Sequence, residues 1–197
     1  MASTLLACLA RPPGRSRRLK RAAGAFASFA LMLAVVSLQS CADNAVDAKP
    51  VKTVPSVDLQ RYSGTWYEIA SFPMFFQRQC IGNTQANYEI ERDGTVKVHN
   101  QCRTKDGTDA ADGIAELVPD AGGAKLRVAF FRPFWADYWI VGLDPAYRWA
   151  VVGNPSRKNL WILSRTKVLA PELLKEAKEA AEAQGFDLSR LQYTPQD

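Results

Sequence analysis

Histidine is almost missing from this chain of 197 residues: His99 is the only one. A site built on several imidazoles is therefore excluded, and a nucleophile–histidine–acid relay would have to run through that one ring. No glycine-rich phosphate loop occurs, and no nucleophile stands at a telling spacing from a base. Repeats of solenoid length are missing too. These gaps leave no catalytic residue, metal ligand or cofactor to expect. Acidic residues are missing from the first 40 positions, where Arg11, Arg15, Arg17, Arg18, Lys20 and Arg21 gather. The formal charge of +5 belongs to that stretch: without those six bases, 19 Lys and Arg face 20 Asp and Glu, about −1. A near-neutral remainder offers no patch for nucleic acid.

What is present at the N-terminus is a basic segment up to Arg21 and an apolar run over 22–38, ending in Leu38-Gln39-Ser40-Cys41. The run is almost long enough to span a bilayer. Its basic flank and the small residue before a cysteine favour an export signal instead. Leu-x-Ser-Cys resembles the bacterial lipobox, in which Cys41 would be acylated and become the new N-terminus; Gln39 departs from the usual small or β-branched residue. The expected organisation is a signal peptide over 1–40, a flexible tether over 41–56 and one domain over 57–197. The tether carries Asp, Asn, Lys and two prolines, without apolar periodicity. Cys8 falls in the leader and Cys41 is the lipid site. Cys80 and Cys102 remain, an even pair in an exported protein, so a disulfide is expected. It would close a loop of roughly 22 residues and stabilise by about 3 kcal/mol in the chain-entropy picture.

From Gly64 onward, short apolar runs alternate with turn signals. Gly64-Thr65-Trp66-Tyr67-Glu68-Ile69-Ala70 reads as a first strand, followed by a long loop over 72–78. Further strands are expected at 84–90, 96–101, 110–118, 125–131, 137–143, 147–152 and 159–165. Asp93-Gly94 is a strong two-residue hairpin signal. Eight strands with short connections form an up-and-down meander, each pairing with its predecessor. If the meander closes, the first and last strands become neighbours. Arg165 can then lie on the indole of Trp66, a contact worth about 0.5–2 kcal/mol. The segment 171–184 differs: Leu173, Leu174, Ala177, Ala180 and Ala181 form one helical stripe. Pro171 suits its first turn and Gly185 the position past its end. So narrow a stripe belongs on the outside of the barrel. A segment near Leu191-Gln192-Tyr193 can add a final strand.

Three stretches in order resemble the signature stretches of the lipocalin family: Gly64-x-Trp66, Asp144-Pro145-Ala146-Tyr147, and Ser164-Arg165. The wording of 64–70 and of Leu160-Trp161-Ile162-Leu163-Ser164-Arg165-Thr166 is most similar to the bacterial outer-membrane lipoprotein branch, relatives of apolipoprotein D and the plant temperature-induced lipocalins. The resemblance covers about 57–196. It implies an all-β fold, an eight-stranded up-and-down antiparallel β-barrel with one C-terminal flanking α-helix, closed at one end by Gly64, Trp66 and Arg165. Ala42 lacks the acidic character that in enterobacterial family members favours inner-membrane retention. The implied place is therefore the bacterial outer membrane, facing the periplasm.

Alternation along a barrel strand sorts lumen from exterior. On 125–131 the apolar parity is Leu126, Val128 and Phe130; by the same logic Ala86, Tyr88, Ile90, Val96 and Val98 face in, and His99 faces out. On the later strands both parities are apolar, and the resemblance chooses Tyr138, Ile140, Trp149 and Val151. The lumen is then aliphatic and aromatic with tyrosine hydroxyls as its few polar points, a pattern suited to a small apolar ligand. The resemblance implies a fatty acid or lysophospholipid; burying an unpaired charge is costly, so its head is expected at the mouth, near Arg78 and Arg132. The expected protein is a membrane-anchored lipid-binding lipocalin, monomer or homodimer, that binds, stores or carries such ligands and is not an enzyme. Two other readings stand beside it. One is an enzyme acting on a lipid or isoprenoid in the same lumen, which free cysteines would favour. The other is an interaction lipoprotein with an empty barrel, its aromatic loop 72–76 touching a membrane or partner.

Overall fold

The computed structural model describes residues 49–197. The expected signal peptide, the lipid site Cys41 and the first part of the tether lie outside the described residues. Eight strands pair antiparallel in chain order: β1 (Gly64–Ser71), β2 (Gly82–Ile90), β3 (Val96–Thr104), β4 (Gly107–Leu117), β5 (Lys125–Phe131), β6 (Phe134–Leu143), β7 (Trp149–Gly153) and β8 (Leu160–Ser164). The sheet closes on itself because β1 pairs with both β2 and β8: Tyr67 is opposite Gln85 on one side and Ser164 on the other. A two-residue β9 (Gln192–Tyr193) lies beside the end of β1. The sheet is thus the expected barrel, with the expected final strand. β7 starts at Trp149 rather than at 147, because Tyr147 sits in the left-handed region at φ 60° inside the preceding turn.

Chain direction separates two ends. One carries the connections 72–81, 105–106, 132–133 and 154–159; the other carries 91–95, 118–124 and 144–148. A single helical turn, α1 (Leu59–Tyr62), closes the second end. Asp58 caps it by accepting from the amides of Gln60 and Arg61. The turn is tied to the connection 144–148 of that end, as the Asp58 amide donates to the Tyr147 hydroxyl at 2.9 Å and Arg61 to the Pro145 carbonyl at 3.0 Å. The first end is the mouth.

The outer wall is covered by α2 (Pro171–Ala183), which buries Ala177 and Ala181 completely and lies against β6 and β7. Its alanine stripe allows a close approach, which Gly142 completes. A Cβ added at Gly142 would come within 2.8 Å of the Ala180 Cβ and 3.3 Å of Trp149 and Val151. None of those neighbours is a free chain end, so Gly142→Ala must push the helix outward. We expect a loss of about 1–3 kcal/mol in urea denaturation; an unchanged midpoint would mean that helix and wall are not in contact.

Two expectations need correction. The expected tether spans 41–56, yet its end is fixed to the barrel. Val51 is buried in the layer beneath α2, the Val54 amide donates to the Ile140 carbonyl at 3.0 Å, and the Val57 amide to Gly122 at 2.8 Å. Val51, Val54 and Val57 are the segment's apolar residues, and their burial offsets the entropy of ordering it. The second correction concerns β7. Trp149 and Val151 face outward, in the layer shared with Ala177, Ala181 and Phe186, and Trp149 Nε1 donates to Glu176 of α2 at 3.4 Å. The lumenal residues of β7 are Ala150 and Val152. The pairing fixes the parity: inward Ile140 is opposite Val152, so Val151 and Trp149 turn outward, and a bulge after Ile140 sets Gly142 opposite Val151 on the outer face.

Candidate functional site

The lumen is built upward from Trp66. That side chain has no exposed surface, and its Nε1 donates to the Tyr62 carbonyl at 2.7 Å. The Arg165 guanidinium lies 3.9 Å from the centre of the Trp66 ring, and donates to the carbonyls of Thr65, at 2.9 Å, and Arg61. One cation thus joins β1, α1 and the chain after β8. Gly64 begins β1 at φ +87°, a conformation that other residues adopt at a cost. Beside this plug, the buried Asp144 carboxylate accepts from the Ala146 and Arg148 amides and from the Arg148 side chain at 2.9 and 2.7 Å. The Arg148 hydrogen bonds hold the Asp144 carboxyl below its ordinary value. The expected Asp144-to-Tyr147 stretch is therefore the clasp of the closed end.

Above the plug runs a chain of three hydroxyls. The Tyr62 and Tyr138 oxygens are 2.8 Å apart, and Tyr138 donates to Tyr88 at 2.9 Å. Burial raises all three, Tyr88 to about 12 from an ordinary 10.0 and the others well above it. The sign follows. Above pH 10 the unfolded chain releases these protons while the folded one keeps them. Stability is therefore complete below pH 10 and falls as pH rises through the folded values, by up to about 1.4 kcal/mol per pH unit for each tyrosine. We expect urea stability to fall steeply between pH 10 and 12, and Tyr88→Phe to flatten that slope by one proton's worth. An equal slope in Tyr88→Phe would put the titration elsewhere.

The inward wall then follows the expected parity. Ala86, Tyr88, Val98, Leu126 and Ile140 belong to one buried cluster with Trp66, and Val128, Phe130 and Tyr138 pack against it while keeping part of their surface exposed. Trp149 and Val151 are not among them. The structure adds Ala115, Ala150, Val152 and Leu163, with Trp161 packed against the same cluster. It also adds an acid. Glu68 is only 5% exposed and pairs with no cation among the described residues. Its carboxylate accepts from Ser71 at 3.1 Å, Gln77 at 3.0 Å and Thr194 at 2.5 Å. Glu68 pairs with Leu163, an inward residue, so it belongs to the lumenal wall on the mouth side. Sequence parity from Trp66 could have found it. Tyr62 could not have been found that way, since it lies before the first strand.

Cys80 and Cys102 are bonded, Cα to Cα 5.5 Å, and fasten the loop after β1 to the wall. His99 lies on the outer wall, 2.8 Å from Asp112 with both side chains exposed. Arg78 and Arg132 are exposed on two mouth connections. Two surface concavities stand outside this arrangement, one along Glu91 to Lys97 and Ile114, the other around Asn83, Gln101 and Arg103.

Residues 57–196 match the family model described as a lipocalin-like domain. Temperature-induced lipocalin-1 of Arabidopsis thaliana is 39% identical over 158 residues, covering 76% of this chain and 85% of that protein. Outer membrane lipoprotein Blc of Citrobacter freundii is 37% identical over 150 residues, 75% of this chain and 84% of the other. The structure of insecticyanin from the tobacco hornworm Manduca sexta superposes with a TM-score of 0.61 at 22% identity, over 74% of this chain and 84% of that one. The eight-stranded closure, the Trp66–Arg165 plug and these matches agree, and the chain belongs to the lipocalin family.

Proposed function

We propose that this chain is a lipid-anchored lipocalin of the bacterial outer membrane that binds a fatty acid, a lysophospholipid or a similar acyl chain in the barrel lumen. The carrying observation is the state of the wall: Val128, Phe130 and Tyr138 point inward, yet each keeps part of its surface exposed. Free surface on inward side chains supports an interior open to a ligand. Each buried CH₂ of an acyl chain gains about 0.8 kcal/mol there. An anionic head is kept from the upper wall by the Glu68 carboxylate and stays at the rim, near Arg78 and Arg132. The anchor is supported by Leu38, Ser40 and Cys41 and by the relatives named as outer membrane lipoproteins. Binding rather than catalysis is favoured by the Cys80–Cys102 bond, which leaves neither sulfur as a thiol nucleophile.

The test is a chain-length series of fatty acids titrated into the full chain. Tryptophan emission is the readout, since Trp161 packs against the lumenal cluster. Affinity should rise with each added CH₂ and then level off when the lumen is full. Affinity independent of chain length would reject an acyl site.

A further inference from the structure

The mouth carries apolar surface that no part of the described chain covers. Phe75 is 75% exposed and Phe76 48% on the connection after β1; Phe131 is 80% and Phe134 77% on the turn between β5 and β6. In a closed cycle of eight strands those two connections are four positions apart, so the phenylalanines stand on opposite sides of one opening. Isolated exposed apolar residues are ordinary; four large rings gathered at one rim are not. The charges around them are mostly positive. Arg78, Lys105, Arg132 and Lys158 are exposed on the four mouth connections, against Asp106 and, at the start of β4, Asp109. Rings flanked by cations suit the surface of an anionic bilayer.

A separate observation gives the same direction. The chain enters the described structure at the mouth end. The Lys49 carbonyl accepts from Arg157 on the connection 154–159, and the Lys52 amide donates to Gln184 at 2.9 Å, just past α2. From there the segment runs to the closed end, where Val57 bonds Gly122. Cys41 is eight residues before Lys49, a covalent reach of at most about 29 Å. An anchor at Cys41 would hold the barrel by its mouth side.

We propose that the rim formed by Phe75, Phe76, Phe131 and Phe134 docks on an anionic lipid surface, so that an acyl chain passes between bilayer and lumen without crossing water. The purpose of this docking rests on the lumenal site proposed above; the docking itself is measured independently.

The experiment is hydrogen exchange of the full chain on phosphatidylglycerol vesicles, on phosphatidylcholine vesicles and in vesicle-free buffer. Fatty-acid binding is measured beside it in buffer. On the anionic vesicles, amides of 75–79 and 131–134 should slow about tenfold, while 91–95 and 145–148 at the closed end stay unchanged. Replacing all four phenylalanines by serine should abolish the slowing while the chain still floats with the vesicles through its N-terminal anchor. Unchanged exchange at the rim, or slowing at the closed end, overturns the docking. Equal slowing on uncharged vesicles overturns the charge match. A chain that binds fatty acid but shows no rim slowing sinks the docking alone; rim slowing without fatty-acid binding sinks the lumenal site and leaves the docking standing.

Discussion

Trp66→Ala should cost about 3–5 kcal/mol of folding stability, a third or more of what many domains possess. The ring is fully buried and has three jobs. It fills the bottom of the lumen beside Tyr62, 4.9 Å between ring centres. It supports the Arg165 guanidinium at 3.9 Å. Its Nε1 satisfies the Tyr62 carbonyl. Alanine leaves a void, an unpaired carbonyl and a cation without its stacking face. Arg165→Lys should also destabilise, because an ammonium lacks the flat face and the fork that reaches both Thr65 and Arg61. A double-mutant cycle in urea should give a coupling of about 0.5–2 kcal/mol between the two positions. Additive losses would mean that the stacking contributes nothing.

The second large effect concerns binding. Val128→Lys places an ammonium half-way along β5, facing Phe130, Tyr138 and the lumenal cluster. No acid faces that position across the β4 or β6 pairing: Val128 is opposite Ala115 and Ala136. The lysine must either draw water into the lumen or sit unpaired where an acyl chain would lie, and both are costly. Fatty-acid affinity should fall at least about tenfold, equivalent to about 1.4 kcal/mol. Arg132→Ala, at the exposed rim, should change it far less. Near-ultraviolet circular dichroism checks that the Val128→Lys barrel is folded. A folded variant with undiminished affinity would place the ligand outside the lumen.

Much of this arrangement was legible in the sequence where one face of an element is wet. The parity of β5 is plain because Lys125 and Arg127 face out while Leu126 and Val128 face in. The alanine stripe of α2 is plain for the same reason. β7 was not legible, because α2 covers its outer face and the lumen its inner one: all five residues are buried, and an apolar run has no parity. The bulges in β1 at Ile69 and in β6 at Val141 change parity within a strand; the first has no glycine or proline to announce it, and at the second Gly142 follows directly. The tether 41–56 reads as flexible from its prolines and charges, though Val51, Val54 and Val57 are the signal that its end packs. Glu68 was missed for a different reason. An acid two residues from Trp66 shares its face, but an apolar lumen left no place for a carboxylate until Ser71, Gln77 and Thr194 were seen around it. Those partners come from β1 itself, the mouth loop and the C-terminal segment, and no local pattern joins them.

The most direct test of lumenal binding is native mass spectrometry of the full chain purified from the cells that make it, followed by extraction of whatever is bound. The expected result is a one-to-one complex with an acyl-chain lipid, retained by Arg132→Ala and lost by folded Val128→Lys. A folded chain that carries no lipid and takes up none on incubation with fatty acids or lysophospholipids would contradict the account.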